Sequence, residues 1–150
     1  GVTKLGPREI TFYFDKPTNC ISPDAFVIEQ DGVAGDLPAV SSVLPVADNG
    51  LLVTLSRPIE PKAWTTITHG PTLASTRIGY LPGDVNGDGY SGPVDILDLI
   101  DSLNGVGGSL SLSSADLDRS GMATPADIIM LIDLLNGAGN LDPYLGEQLP

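Results

Sequence analysis

The sequence predicts two domains: an all-β sandwich over residues 1–81, then a small helical unit over 82–150 built from two loop-helix repeats. Three observations predict this. Residues 1–81 alternate short apolar runs with turn clusters and show no helical period. Residues 84–105 and 116–137 repeat each other in register, 32 residues apart. Charge divides at the same place: residues 83–150 hold 11 acidic side chains and one basic, whereas residues 1–82 hold 8 and 6.

In the first part, Ile10–Asp15 alternates, with Ile10, Phe12 and Phe14 on one face. Ala25–Glu29, Val40–Val46, Leu51–Leu55, Trp64–Thr68 and Ala74–Tyr80 read as further strands. Between them stand Lys16-Pro17-Thr18-Asn19, Asp31-Gly32, Asp48-Asn49-Gly50, Arg57-Pro58 and His69-Gly70-Pro71, which supply the backbone conformations of turns. Asp48-Asn49-Gly50 between two strands is the clearest hairpin. Six or seven strands at this spacing argue a sandwich. Aromatic residues are so few that Tyr13 and Trp64 are expected in its core rather than on a sugar-binding platform. Cys20, the single cysteine, reads as a small buried apolar residue, and His69 as a strand-end or turn residue.

Tyr80-Leu81-Pro82-Gly83 marks the boundary. Beyond it, Asp84, Asn86, Asp88 and Asp95 occupy positions 1, 3, 5 and 12 of a twelve-residue loop, with Gly89 at position 6. A chain so spaced wraps a hard cation: alternate side chains point inward, position 7 offers its carbonyl (Tyr90), and glycine permits the sharp turn. The second copy places Asp116, Asp118, Ser120 and Asp127 at the same positions, with the carbonyl of Met122 at 7 and the hydroxyl of Thr124 at 9. The expected cofactor is therefore Ca2+, one ion per loop. Ser120 lacks a carboxylate, so the second loop is expected to bind the more weakly.

Each loop runs straight into a helix. Ile96, Leu99, Ile100 and Leu103 form a stripe at i, i+3, i+4 and i+7, and Ile128, Leu131, Ile132 and Leu135 repeat it. Gly105 and Gly137 stand where the helices should stop. Neither helix buries its stripe alone, so the two are expected to pack together. The link from Val106 to Leu112 reads as loop with one short helical turn.

Two EF-hand-like loops, each followed by one helix and with no helix before it, resemble the dockerin domain over about residues 83–142. Gly83-Asp84-Val85-Asn86-Gly87-Asp88-Gly89 and Ala115-Asp116-Leu117-Asp118-Arg119-Ser120-Gly121 carry the resemblance. It implies a non-catalytic, calcium-dependent module that docks onto a cohesin-type partner, in a secreted bacterial protein found outside the cell or on its surface. Family members contact cohesin through loop positions 10 and 11, here Pro93-Val94 and Pro125-Ala126, which depart from the Ser-Thr-like pair common in cellulosomes. Position 8 departs too, being Ser91 and Ala123 where a branched apolar residue is usual. Family members also clasp their termini, for which Tyr80, Pro82, Pro143 and Tyr144 are available. The strand-rich first part is loosely similar to small immunoglobulin-like modules of bacterial secreted proteins.

The acidic balance argues against nucleic acid and anionic membrane as partners. No apolar run is long enough to span a bilayer, and Gly1–Lys4 does not read as a signal peptide, so the chain reads as processed or as a piece of a longer protein. No nucleophile elbow, phosphate loop or dinucleotide fingerprint appears, and the acidic clusters are taken by the loops, which argues against an enzyme and against a carbohydrate ligand. The alternative function is structural: a calcium-stiffened subunit of an extracellular filament or surface layer. Copies would then assemble head to tail, with Val2–Leu5 as donor strand.

Overall fold

The computed structural model describes residues 6–19, 21–32, 36–46 and 49–150. Val2–Leu5, Cys20 and Asp48, on which three of the expectations fall, lie outside the described residues. The rest gathers into two compact units, 6–80 and 81–149.

The first unit holds β1 (Glu9–Tyr13), β2 (Phe26–Asp31), β3 (Val40–Val46), β4 (Gly50–Leu55), β5 (Ala63–His69) and β6 (Ala74–Tyr80). These pair as two three-stranded antiparallel sheets, ordered β1-β4-β3 and β2-β5-β6. The β3–β4 hairpin sets Val46 opposite Gly50, and Asn49 turns the chain with a φ of +58°. The two central strands show the cleanest alternation. Leu51, Val53 and Leu55 of β4 are buried, as are Ala63, Thr65, Ile67 and His69 of β5.

Inward residues of both sheets meet in one core of Phe12, Phe26, Val43, Leu51, Val53, Leu55, Ile59 and Ile67. Burying each large member contributes about 1.5–3 kcal/mol, which makes this cluster the main support of the unit. Strand ends differ slightly from the sequence reading. Ala25 belongs to a 3-10 turn, Pro23–Ala25, that leads into β2. Phe14 follows β1 but still packs on the core, its ring edge-on to His69 at 5.3 Å. His69 is buried at the end of β5, with Nδ1 2.7 Å from the Thr72 hydroxyl.

Tyr13 and Trp64 correct an expectation, for neither lies in the core. Alternation along β1 turns Tyr13 outward beside buried Phe12, and it is 71% exposed. Trp64 takes an outward position of β5, under the Arg77 guanidinium at 4.5 Å, and Arg77 also pairs with Asp31 at 3.2 Å. Phe12, Phe26 and aliphatic side chains fill the interior instead.

The second unit holds α1 (Pro93–Leu103), α2 (Leu112–Ala115) and α3 (Pro125–Asn136). Both long helices begin with proline, whose missing N–H costs nothing at the first helical position. α3 ends on Gly137 in the left-handed conformation, φ +67°. α1 ends on Asn104, whose backbone N–H and side-chain amide both donate to the Ile100 carbonyl. A short helix does form here, but α2 starts at Leu112, the last residue of the link in which a turn is expected, and the Ser111 hydroxyl caps it by accepting from Ser114 N–H at 3.2 Å.

One core joins Leu81, Val85, Leu99, Ala115, Leu117, Leu131, Leu134, Leu135 and Tyr144. The stripe expected on α3 needs one correction. Ile132 is 40% exposed, and Leu134 is fully buried in its place. The cause lies downstream: Tyr144 N–H donates to the carbonyls of Leu134 and Leu135, so the chain folds back over that side of α3 and sets which face is inside. Ile100, the matching residue of α1, is likewise only half-buried.

Candidate metal centres

Both loops are built on the same backbone scaffold. In the first, Asp84 at the loop's start curls inward and collects the N–H groups of Gly87 (2.7 Å), Asp88 (3.2 Å) and Gly89 (2.9 Å). Asn86 Oδ1 accepts from Asp88 N–H and Asp88 Oδ1 from Tyr90 N–H, at 2.9 and 2.8 Å. Asp95 closes the ring from the first turn of α1, its Oδ1 accepting from Val85 N–H and its Oδ2 from Gly92 N–H, each at 2.8 Å. Such turns arise because a short carboxylate or amide satisfies backbone donors two to five residues on.

The second loop repeats this. Asp116 accepts from Ser120 and Gly121 N–H at 2.9 and 2.8 Å, and Asp118 accepts from Ser120 N–H at 2.9 Å. Asp127 accepts from Leu117 and Thr124 N–H, both at 2.8 Å. Here the cap is reciprocal, since the Thr124 hydroxyl also accepts from Ala126 N–H at 3.3 Å. Gly92, the cap residue of α1, has no side chain to return the favour. A Cβ on Gly92 would come within 2.5 Å of the Tyr90 ring, which explains the glycine at position 9 of the first loop.

Among the described residues, three carboxylates converge only in the second loop. One carboxylate oxygen each from Asp116, Asp118 and Asp127 lie within 4.8 Å of one another. Like charges so close repel strongly unless a cation lies among them. The set is all oxygen, with no sulfur and no imidazole, which suits a hard ion such as Ca2+. The residues therefore fit the ion. Position 5, Ser120, directs its hydroxyl to the Met122 carbonyl at 3.2 Å. In the first loop Asn86 stands where the second has Asp118, so Asp84, Asp88 and Asp95 are the carboxylates there. Each loop thus offers three carboxylates, and ligand charge gives no reason for the second to be the weaker. That expectation overlooked that Asn86 offsets Ser120.

Asp95 and Asp127 are both buried, yet they differ in acidity. Burial pushes the Asp95 carboxyl above its ordinary value; the N–H groups of Gly92, Val85 and Asn86 only partly offset this, and the nearby Asp84 carboxylate adds to the rise. Burial acts on Asp127 in the same sense, but the N–H groups of Thr124, Asp118 and Leu117 with the Thr124 hydroxyl outweigh it, and its carboxyl is held below the ordinary value. The donors are better seated in the second loop: Asp118 N–H reaches Asp127 at 3.1 Å, whereas Asn86 N–H reaches Asp95 at 3.4 Å.

Pro93, Val94, Pro125 and Ala126 are all exposed in the first turns of α1 and α3. Two features escaped the sequence reading. Asp98, one helical turn beyond Asp95, holds the Asn86 amide at 2.8 Å and so fixes which way it points; its spacing of three from Asp95 was the available signal. Ser91 at position 8 is fully buried and donates to the Pro82 carbonyl at 2.9 Å. A Cβ on Gly83, which has a φ of +91°, would strike this hydroxyl, so glycine and serine are matched. Tyr144, an expected clasp residue, is 1% exposed and belongs to the core of its own unit.

No curated protein is significantly similar to the chain. Residues 82–136 match the family model of the dockerin type I domain. That stretch runs from the chain before the first loop to the last residue of α3, and includes both sets of carboxylates. Residues 82–136 are therefore a dockerin type I domain, of a calcium-binding and protein-docking family, preceded by a β-rich region.

Proposed function

We propose that this chain is a non-catalytic, calcium-dependent docking module of a secreted protein. Its domains are a carrier over 1–81, an immunoglobulin-like β-sandwich, and a dockerin over 82–150. Asp84, Asn86, Asp88, Asp95 and the Tyr90 carbonyl hold one Ca2+. Asp116, Asp118, Asp127 and the Met122 carbonyl hold a second, with the hydroxyls of Ser120 and Thr124 nearby. Each ion neutralises its carboxylates and fixes the start of the helix that follows. The helix faces then recognise a cohesin-type protein.

One observation carries the docking surface. Leu97 of α1 and Ile129 of α3 hold the same place in their repeats and are 60% and 64% exposed. Val94 extends the exposed surface on α1 and Ile132 on α3. Core packing gives no reason for these side chains, whereas a helix that presents an apolar face to a partner needs them. Pro93, Val94, Pro125 and Ala126 border the same surfaces.

The test is calorimetric titration of the chain with a panel of cohesin domains, in Ca2+ and in EDTA. Binding in Ca2+ that is lost in EDTA, and lost again in a folded Leu97→Asp/Ile129→Asp variant, is the expected result. Binding indifferent to both would sink the reading.

A further inference from the structure

We propose that residues 146–149 position the backbone-carbonyl ligand of the first loop, so that this loop releases its ion more slowly than the second. The inference rests on the calcium reading above and adds an inequality between the two sites. After α3 the chain is anchored where Tyr144 is buried and Leu145 N–H donates to the Leu135 carbonyl at 3.0 Å. From there it runs antiparallel to the first loop, with Gln148 opposite Tyr90. Three backbone hydrogen bonds of 2.9 Å join them: Gly146 N–H to Ser91 O, Ser91 N–H to Glu147 O, and Leu149 N–H to Gly89 O.

These bonds act on the ligand itself. The Tyr90 carbonyl and the Ser91 N–H belong to one peptide group, which is planar and trans, so they point in opposite directions. With the N–H held outward by Glu147, the carbonyl is turned inward, toward the carboxylates of the loop. The bond from Leu149 to Gly89 O holds the preceding peptide as well, and the Ser91 hydroxyl ties the same residue to Pro82. For the ion to leave with its ligands relaxing, this short strap has to open.

Among the described residues, no such strap lies against the ligand peptide of the second loop. Its matching peptide, Met122–Ala123, has no strand laid against it among the described residues, and Ala123 has no hydroxyl with which to make a tie. Among the described residues, the Met122 carbonyl is met by the Ser120 hydroxyl from within the loop. With fewer ties among the described residues, its ligand peptide turns more readily, so its ion leaves first.

Stopped-flow release of Ca2+ from the full chain into a fluorescent chelator is expected to show two phases of equal amplitude. Leu149→Pro removes the donor to Gly89 and should speed the slow phase roughly five- to tenfold, the scale of one or two hydrogen bonds, while leaving the fast phase unchanged. Gln148→Ala, which removes no backbone donor, should move neither. Amide exchange on the unaltered calcium-loaded chain gives a measurement independent of any variant: Ser91 N–H should exchange far more slowly than Ala123 N–H. Equal exchange at the two residues, or a Leu149→Pro chain in which both phases or neither change, overturns the proposal and leaves the calcium reading standing. A wild-type chain that binds no Ca2+ in titration overturns both.

Discussion

The two loops of the dockerin domain share one scaffold and differ in how they are closed. Both fold the last carboxylate over matching backbone donors, Val85 and Gly92 in one and Leu117 and Thr124 in the other, each at 2.8 Å. The first is fastened from outside, by the Ser91 hydroxyl and the pairing with residues 146–149. The second is fastened from inside, by Thr124 capping α3 and by tighter seating of Asp127. A duplicated unit thus keeps the positions that hold the ion while the positions that brace the loop diverge.

The largest way to break both halves is at the residue they share. Asp95→Ala or Asp127→Ala strips acceptors from buried N–H groups and should lower stability of the calcium-loaded domain by about 3 kcal/mol or more, read from its thermal or denaturant transition. The two variants should cost similar amounts, because the donors are the same set. Ser91→Ala sharpens the contrast: it leaves the buried Pro82 carbonyl unpaired and should cost about 1–2 kcal/mol. The matched change, Ala123→Gly, should cost less. Thr124→Ala removes the hydroxyl cap of α3 and should cost about 1 kcal/mol in the same assay.

Acidification is the subtlest test. Protons compete with Ca2+ for carboxylates, and the competition begins near the carboxyl's metal-free acidity. Asp95 is raised, so it takes up a proton at a higher pH; Asp127 is lowered, so it stays ionised further into acid. As pH falls, the first loop should lose affinity before the second. Calorimetric titrations at stepped pH would show this, and a common midpoint would remove the distinction.

Much of this was legible in the sequence. The carboxylate spacing singled out Asp116, Asp118 and Asp127, whose oxygens converge, and the repeat of Asp95-Ile96 in Asp127-Ile128 located the helix starts to within two residues. The strand positions followed from alternation. What escaped depends on chain brought from far away. Residues 146–149 pair through their backbone, which leaves no side-chain pattern to read. Leu134 is inside and Ile132 outside because Tyr144 returns over α3, and a helical stripe read alone cannot know that. Tyr13 and Trp64 were placed inside because aromatic residues are few, but strand alternation turns both outward and leaves the core to Phe12, Phe26 and aliphatic residues.

Asp95 and Asp127 each end a loop and, in the same carboxylate, hold the N–H of the residue that caps the following helix. No slack exists between the ring and the rod. A single residue inserted within 84–95 or 116–127 would therefore misplace the last ligand and unseat the helix start together, whereas the glycine-rich run at 105–109 offers a place where the chain can grow. Length variation among relatives should accumulate in that bridge and be excluded from the rings.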